Sequence, residues 1–417
     1  MAEHHAALSA LRTHPIANRL FAFGREHNLD IRLVGGAVRN ALAGWASQTN
    51  NKIDLDFAVN LPAETFMALA EDAGFSVIPT GLAHGTVTVL DGTDKAEVTQ
   101  LRYDMDTDGR HAEIGFTDDW AEDANRRDFS INAIYLDGDG QLFDPAGGIA
   151  DLAAGRLCFI GDADRRLEED YLRILRAVRF LSEYPELDMP SEDLVAIRRH
   201  AQKLVSLSSE RKTSELVRIF SGAGVDRAVR LLHSLSIDRL IFGASISDTF
   251  MADDTPPQTA SPLSNSHIAG WFTQAGFASQ LALLVSDLDR LAQTLPMHFS
   301  LSRKQQRALV ANIGYLSDDA SAAALPLDGD DWQKSCFRLA NIASFVYLHG
   351  CIYGTYQFHD SRMRQIVHFV PPICPISGQD VIMKYGVNGR EVGVILDRLT
   401  NEWVDSGFSL SKSELLS

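Results

Sequence analysis

What the chain lacks narrows it first. No run approaches the roughly 18 apolar residues that a membrane helix requires, and the opening MAEHHAALSALRTHP has no basic-then-apolar order, so neither a membrane span nor export is expected. Cysteine is scarce: Cys158, Cys336, Cys351 and Cys374 are all there is, none at metal-ligand or redox spacing, which fits buried thiols in a reducing cytoplasm. Basic charge is in deficit. With 38 Lys and Arg against 55 Asp and Glu the formal charge is −17, so the chain does not coat itself with nucleic acid and any RNA contact has to be local. The same charge suits an enzyme that never meets RNA. Neither GxGxxG nor GKS/GKT occurs, which removes the dinucleotide fingerprint and the P-loop. There is no internal repeat, and a length of 417 residues points to about three domains.

What is present is organised around Ile53-Asp54-Leu55-Asp56-Phe57. On a β-strand successive side chains face opposite ways, so Asp54 and Asp56 share one face while Ile53, Leu55 and Phe57 point into a core. Two carboxylates side by side make a hard oxygen site suited to Mg²⁺, which keeps several waters and shares substrate phosphates. A solvated strand end is the plainer alternative, because Asp-x-Asp is common. Before this stretch, a helix from Ala17 to Glu26 leads into a strand from Ile31 to Val34, then Gly35-Gly36 and a helical run carrying Arg39 as far as Gly44. Glycine at such a turn lets phosphate reach backbone N–H groups, the helix start favours an anion, and Arg39 can pair with it. A plain strand-to-helix turn would read the same. After the acidic strand come a helix from Ala63 to Ala73, a strand near Phe75 to Ile78, and a hairpin of GTVTVL (85–90) and KAEVTQL (95–101) turning through Asp91-Gly92. Its second strand carries Glu97, either a third carboxylate over the same metals or an ordinary exposed residue.

From Tyr103 to Asn125 the chain is polar, with Gly109, basic Arg110 and His111, and then several acids; it reads as a mobile loop over a site. Arg126-Arg127-Asp128-Phe129-Ser130-Ile131-Asn132-Ala133 follows, a charge cluster running into an apolar strand, as capping or functional charges do. Beyond residue 157 the pattern turns helical. One long helix is expected to hold Glu169 to Phe180, with Leu172, Leu175 and Leu181 on its buried side and Asp170, Arg173 and Arg176 three apart on another face. Out of context those charges would be surface ion pairs. A serine of Ser208-Ser209 is placed to cap a helix running to Phe220. Residues 247–267, rich in Asp, Thr, Pro and Ser, read as a loop or linker. Amphipathic helices are expected at about 278–295, 302–316 and 332–348, and a turn plus a short helix from near Arg390 closes the chain. His359-Asp360 has no partner histidines upstream, which removes a metal phosphohydrolase reading.

Together the strings GGAVRN, DLD, EVTQLR, GRHAEIGF, DDWAEDANRRDFSINA, DPAGGIADLAAG, EEDYLRILRAVRF and SSERKTSEL resemble, in order, the motifs of the class II tRNA nucleotidyltransferase and poly(A) polymerase family over about residues 31–220, most like its bacterial CCA-adding members. ISGQD and NGREVGVIL resemble its tail; residues 231–370 carry no matching motif. The resemblance implies an α+β fold: a nucleotidyltransferase (polymerase β-like) head with a mixed β-sheet at 1–155, a helical neck at 156–230 recognising the base, and a helical body and tail at 231–417 binding tRNA. It implies Asp54 and Asp56 as ligands of two Mg²⁺, with Glu97 as a further catalytic carboxylate. Gly35, Gly36 and Arg39 would meet the triphosphate, Arg127, Asp128 and Asn132 the nucleotide, and Asp170, Arg173, Arg176 and Arg179 would complete the pocket. Three departures stand out: Asn40 where the family has Asp, which puts the orienting of Arg39 in question; Ser130 where it has Thr; and Arg211-Lys212-Thr213, off pattern.

The activity so implied is addition of C, C and A to a tRNA 3′ end from CTP and ATP, without a nucleic-acid template, in the cytoplasm. Base choice would fall to Asp170 and Arg173. Cytosine and adenine offer an amino donor beside a ring-nitrogen acceptor; uracil and guanine offer a carbonyl beside an N–H. A carboxylate accepts and a guanidinium only donates, so the pair suits C and A and leaves polar groups unpaired with U and G. The order C, C, A follows from the resemblance alone. The runner-up is a poly(A) polymerase or a partial CC- or A-adding enzyme, and the acidic charge leans against the polymerase, since tailing varied RNAs gains from a basic surface. A catalytically silent RNA-binding protein on the same fold is the alternative of another class; retention of Asp54, Asp56, Arg127, Asp170 and Arg173 leans against it.

Overall fold

In the computed structural model of the chain, residues 2–45, 53–107, 112–222, 224–251 and 372–417 are described, with shorter pieces between 277 and 370; within 104–114 no side chain is described. The chain divides into two units, Met1–Ile241 and Phe242–Ser417.

The first unit opens with helices α1 (Ala2–Thr13) and α2 (Pro15–Glu26). Proline in the first turn of α2 sacrifices nothing, because that N–H has no helical partner anyway. α2 turns Ile16, Ala17, Leu20, Phe21 and Phe23 inward, and Phe21 meets Phe57 edge-on with ring centroids 5.4 Å apart. Strands β1 (Ile31–Val34), β2 (Leu55–Val59), β3 (Ser76–Gly81), β4 (Thr86–Asp91) and β5 (Asp94–Gln100) join the later β8 (Tyr135–Leu136) and β9 (Leu142–Phe143) in one sheet, in the order β3-β4-β5-β2-β1-β8-β9. Only β2 and β5 run parallel; every other neighbouring pair is antiparallel. This is the mixed sheet that was expected. Helices α3 (Gly36–Ala43) and α4 (Ala63–Asp72) complete its packing.

Several expectations fail here. Ile53 precedes β2 and is 39% exposed, so the inward-facing side of the strand begins at Leu55. The polar stretch 103–125 is not one loop: β6 (Arg102–Thr107) and β7 (Ala112–Phe116) pair as a separate antiparallel hairpin, and α5 (Trp120–Asn125) follows. Asp119 caps α5, its carboxylate accepting from the Ala121 N–H at 2.8 Å. Polarity hid the hairpin, since a two-stranded ribbon outside the main sheet need not show inward-facing apolar alternation. Gly109, Arg110 and His111 lie outside the described residues. Ser130–Asn132 form a 3₁₀ turn, so the apolar strand starts only at Tyr135.

Helices α6 (Gly148–Ala153), α7 (Ala163–Glu169), α8 (Arg173–Glu183), α9 (Ser191–His200), α10 (Ser209–Ser221) and α11 (Val225–Ser234) follow. α8 packs against α10 and α11, and α7 against α9. The expected single helix over 169–180 is broken: Asp170 is extended at φ −155°, ψ 103°, and its carboxylate accepts from the Leu172 N–H at 3.1 Å. An Asp that bonds the backbone two residues on competes with helix continuation. Ser208 caps α10 as expected, its hydroxyl accepting from the Arg211 N–H at 3.4 Å.

In the second unit, one hydrophobic cluster comprises Ile376, Val381, Leu399, Trp403, Val404 and Leu415, and Phe242, Phe250 and Leu281 are buried as well. The closing helix, Arg390–Asp405, runs 16 residues rather than being short. A helix at Gly378–Tyr385, with a Ser377/Asp380 capping box, stands where a turn was expected. Residues 252–267 of the expected linker, most of the helices expected between 278 and 348, and His359 lie outside the described residues; Phe277–Leu284 and Trp332–Leu339 are helical. No described helix is long and apolar enough to cross a membrane.

Candidate active site

The parallel register of β2 and β5 sets Leu55 beside Ala96 and Asp56 beside Glu97. Strand neighbours in register present their side chains to the same face, so Glu97 joins the acidic pair. Asp54, Asp56, Lys95 and Glu97 line one open cavity of about 210 Å³. Burial first, then the charges of Glu97 and Asp54, push the Asp56 carboxyl above the ordinary range, against the pull of Arg127 and Lys95. Lys95 Nζ stands 3.9 Å from Asp54 Oδ1, both side chains largely exposed, a weak pair in water. Gly35 turns the chain from β1 into α3 at φ +82°, a conformation suited to glycine, and a Cβ there would come within 3.8 Å of Asp56 Oδ2. Bare backbone therefore passes beside the Asp56 carboxylate.

Among the described residues no three His, Cys, Asp or Glu side chains converge closely enough to form a ready cage for a metal. Mg²⁺ does not require one: one or two carboxylates suffice where waters and substrate phosphates complete the shell. An all-oxygen donor set whose mutual repulsion already burdens Asp56 fits that ion.

A second group of charges is drawn from residues 123–132 and from α8 and α10. Arg126 and Arg127 each hold Asp123, at 2.8 and 3.1 Å, and Tyr135 donates to the same carboxylate at 2.8 Å. Burial resists ionisation of Asp123, but these partners hold it at about 2. Asp128 is brought to about 2 as well: against its burial stand Arg176 Nε at 2.7 Å, Asn132 Nδ2 at 3.0 Å and the Phe129 N–H at 2.9 Å. Arg179 bonds Glu215 at 2.9 Å and Glu183 at 3.0 Å. Arg39 is buried; it donates to Asn40 Oδ1 at 3.0 and 2.8 Å, to Tyr184 Oη at 2.8 Å and to Asn132. Its guanidinium lies 4.9 Å from the ring centres of both Phe180 and Tyr184. A larger cavity, of about 500 Å³, at the starts of α7 and α9 shares no residue with either group.

A family model described as Poly A polymerase head domain matches residues 31–158. CCA tRNA nucleotidyltransferase 1, mitochondrial, of Mus musculus is 32% identical over 402 residues, spanning 95% of this chain and 87% of that protein. The chain belongs to the class II nucleotidyltransferase family of CCA-adding enzymes. A CCA-adding enzyme of Oceanobacillus iheyensis is 36% identical over 58% of each chain. The structure of the Bacillus stearothermophilus CCA-adding enzyme in complex with CTP superposes with a TM-score of 0.69 at 25% identity, covering 95% of this chain and 94% of that one.

For this nucleotidyltransferase, the structure answers two of the sequence's departures. Asn40 keeps an oxygen that takes two bonds from Arg39, so an amide holds that guanidinium. Ser130 keeps its hydroxyl, which donates to Asp151. Asp54, Asp56 and Glu97 come together at one cavity beside Gly35, and Asp128, Asn132, Arg176 and Arg39 are joined in one bonded chain. Arg39 is directed into that network with its named donors satisfied inside the protein. Asp170 and Arg173 do not share a helix face: Asp170 bonds Arg211 at 2.7 Å, while Arg173 bonds Glu169 and the carbonyls of Arg166 and Arg126, each at 2.7 Å. Asp123, Tyr184, Arg211 and Glu215 were missed from sequence. Three of the four lie inside or next to strings already singled out, DDWAEDANRRDFSINA and SSERKTSEL, where the signal was charge beside an apolar run.

Proposed function

We propose that this chain adds C, C and A to the 3′ end of tRNA from CTP and ATP without a nucleic-acid template, with Mg²⁺ held by Asp54 and Asp56 and assisted by Glu97. The observation that carries it is the parallel β2–β5 register, which puts a third carboxylate beside Asp56 next to a glycine turn. Relatives named for CCA addition, matched over 95% of the chain, supply the substrate class.

Bound Mg²⁺ would stabilise charge on the attacking and departing oxygens of nucleotidyl transfer. The protein's part is to orient. Asp56, fixed in β2, and Glu97, fixed in β5, hold their carboxylates on one face. The Gly35-Gly36 turn opens α3, where backbone N–H groups favour triphosphate oxygens. Lys95 adds a cation at the same cavity. Arg127, Asp128 and Arg176, locked by their partners, form a rigid wall for the nucleotide. The compartment belongs to this reading: free Cys158, Cys336 and Cys374 agree with a reducing cytoplasm, whereas the murine relative's name carries the word mitochondrial.

Incorporation is measured with Mg²⁺ into tRNA transcripts ending at the discriminator base, at C and at CC, offering each of the four nucleoside triphosphates singly and CTP with ATP. Two C and then one A, with stopping, is expected. Long A tails on any RNA would replace the reading by a poly(A) polymerase, C or A alone by a partial enzyme, and no incorporation by a binding protein.

A further inference from the structure

Asp170 occupies the break between α7 and α8, where its side chain is no longer carried on a helix face. Both of its oxygens are engaged. Oδ1 accepts from the Leu172 N–H at 3.1 Å, and Oδ2 accepts from Arg211 Nη2 at 2.7 Å. The two side chains are 29% and 33% exposed, so the pair is reachable from solvent. Arg173, by contrast, is 8% exposed and held by Glu169. Asp170 also lies close enough to Arg176 to act on its charge, and Arg176 bonds Asp128. The Asp170–Arg211 pair is therefore continuous with the charges that surround the proposed nucleotide pocket.

We propose that Arg211 is a positioning residue for base selection: it fixes the Asp170 carboxylate in the orientation that demands an amino group from the incoming base. The proposal rests on the reading of Asp170 as the base-selecting carboxylate. An ionised carboxylate offers about four lone-pair sites. One donor on each oxygen leaves room for the exocyclic amino group of cytosine or adenine. With U or G, a fixed carboxylate faces a carbonyl oxygen and has no escape, and such unpaired polar groups are what discriminates strongly. A carboxylate free to swing aside would relieve the mismatch. Arg211 is itself well placed to prevent this. Ser208 caps α10 and sets Arg211 in its first turn, and four residues on, Glu215 ties the same helix to α8 through Arg179 at 2.9 Å. The planar fork of arginine holds a direction that a lysine ammonium does not.

The test uses the full chain with tRNA ending at the discriminator base or at CC, and compares wild type, Arg211→Gln, Arg211→Lys, Asp170→Asn and the Arg211→Gln/Asp170→Asn double variant. The readouts are kcat/KM for CTP, UTP, ATP and GTP, equilibrium CTP binding, and the thermal unfolding midpoint. Expected is a loss of roughly tenfold or more in CTP-over-UTP and ATP-over-GTP preference for Arg211→Gln, an intermediate loss for Arg211→Lys, and no further loss in the double variant beyond Asp170→Asn, since the two act as one unit. An unchanged preference in Arg211→Gln overturns the proposal. So does an equal fall for all four triphosphates, which marks a merely structural role. Should Arg211→Gln fail to fold, an unchanged preference in Arg211→Lys does the same. An unchanged preference in Asp170→Asn removes the Asp170 reading and this proposal with it. A wild type that does not prefer C and A fails the proposed function itself.

Discussion

The carboxylates at the start of β2 and on β5 and the charges around α8 are built from the same residue types, yet they stand in opposite conditions. Asp54, Asp56 and Glu97 crowd an open cavity where, among the described residues, Lys95 is the lining cation, 3.9 Å from Asp54. Asp123, Asp128 and Glu215 are buried and each is met by arginine at 2.6 to 3.1 Å. The first arrangement is electrostatically unfinished, and burial together with the charges of Glu97 and Asp54 raises the Asp56 pKa; the second is complete, and Asp123 and Asp128 are both held at about 2. Charge left unpaired at a rim is available to a ligand, whereas charge paired in the interior is committed to holding geometry. Function and stability should therefore separate between the two regions.

The sharpest way to break this contrast is at the rim. Asp54→Asn or Asp56→Asn should cut nucleotide incorporation roughly 10³-fold, about 4 kcal/mol of transition-state stabilisation, with the thermal midpoint essentially unmoved. Glu97→Gln should lose less than either. A midpoint that fell along with activity would show the rim to be structural after all. Next in size is Arg179→Met, which takes from Glu215, 7% exposed, its closer cation and leaves Arg176 at 3.8 Å; it should cost on the order of 2 kcal/mol in urea unfolding.

Acid should discriminate the regions too. Asp123 and Asp128 titrate near 2 in the folded chain against 3.8 as the reference. Their pKa values are depressed by folding, so the stability they give is complete above 3.8 and is lost as pH falls towards 2, on the order of 2 kcal/mol for each. Asp128→Asn should flatten that slope in an acid titration followed by circular dichroism; a slope left intact would take Asp128 out of the account. The smallest effect concerns Lys212, which is 1% exposed and drawn downward from 10.5 by burial alone. The unfolded chain holds that proton more tightly, so wild type loses stability as pH falls below 10.5. Lys212→Met should raise stability by about 1 kcal/mol at neutral pH, and its advantage should shrink as the pH is raised. An advantage independent of pH would point to packing rather than charge.

Legibility followed distance along the chain. β1, the turn at Gly35, the start of α10 at Ser208 and the strand holding Asp56 were readable because each depends on a few adjacent residues: alternation, a positive φ, a cap. Ile53 misled because alternation says which way a strand residue would point but not where pairing begins. Asp170 misled because a helical period ran straight through it, and its competing bond to the Leu172 N–H leaves no mark in composition.

By itself the sequence determined which residue types stand at the acidic strand, the glycine turn and the helix starts, since local dihedral preferences and side-chain period are properties of neighbouring residues. Tertiary structure alone decided that Glu97 lies beside Asp56, that Asp170 answers to Arg211 rather than Arg173, and that Arg39 turns inward to Asn40, Asn132 and Tyr184. Those pairings join residues far apart in the chain, and they are fixed by strand register and helix packing, in which many weak contacts choose collectively what no short stretch of sequence specifies.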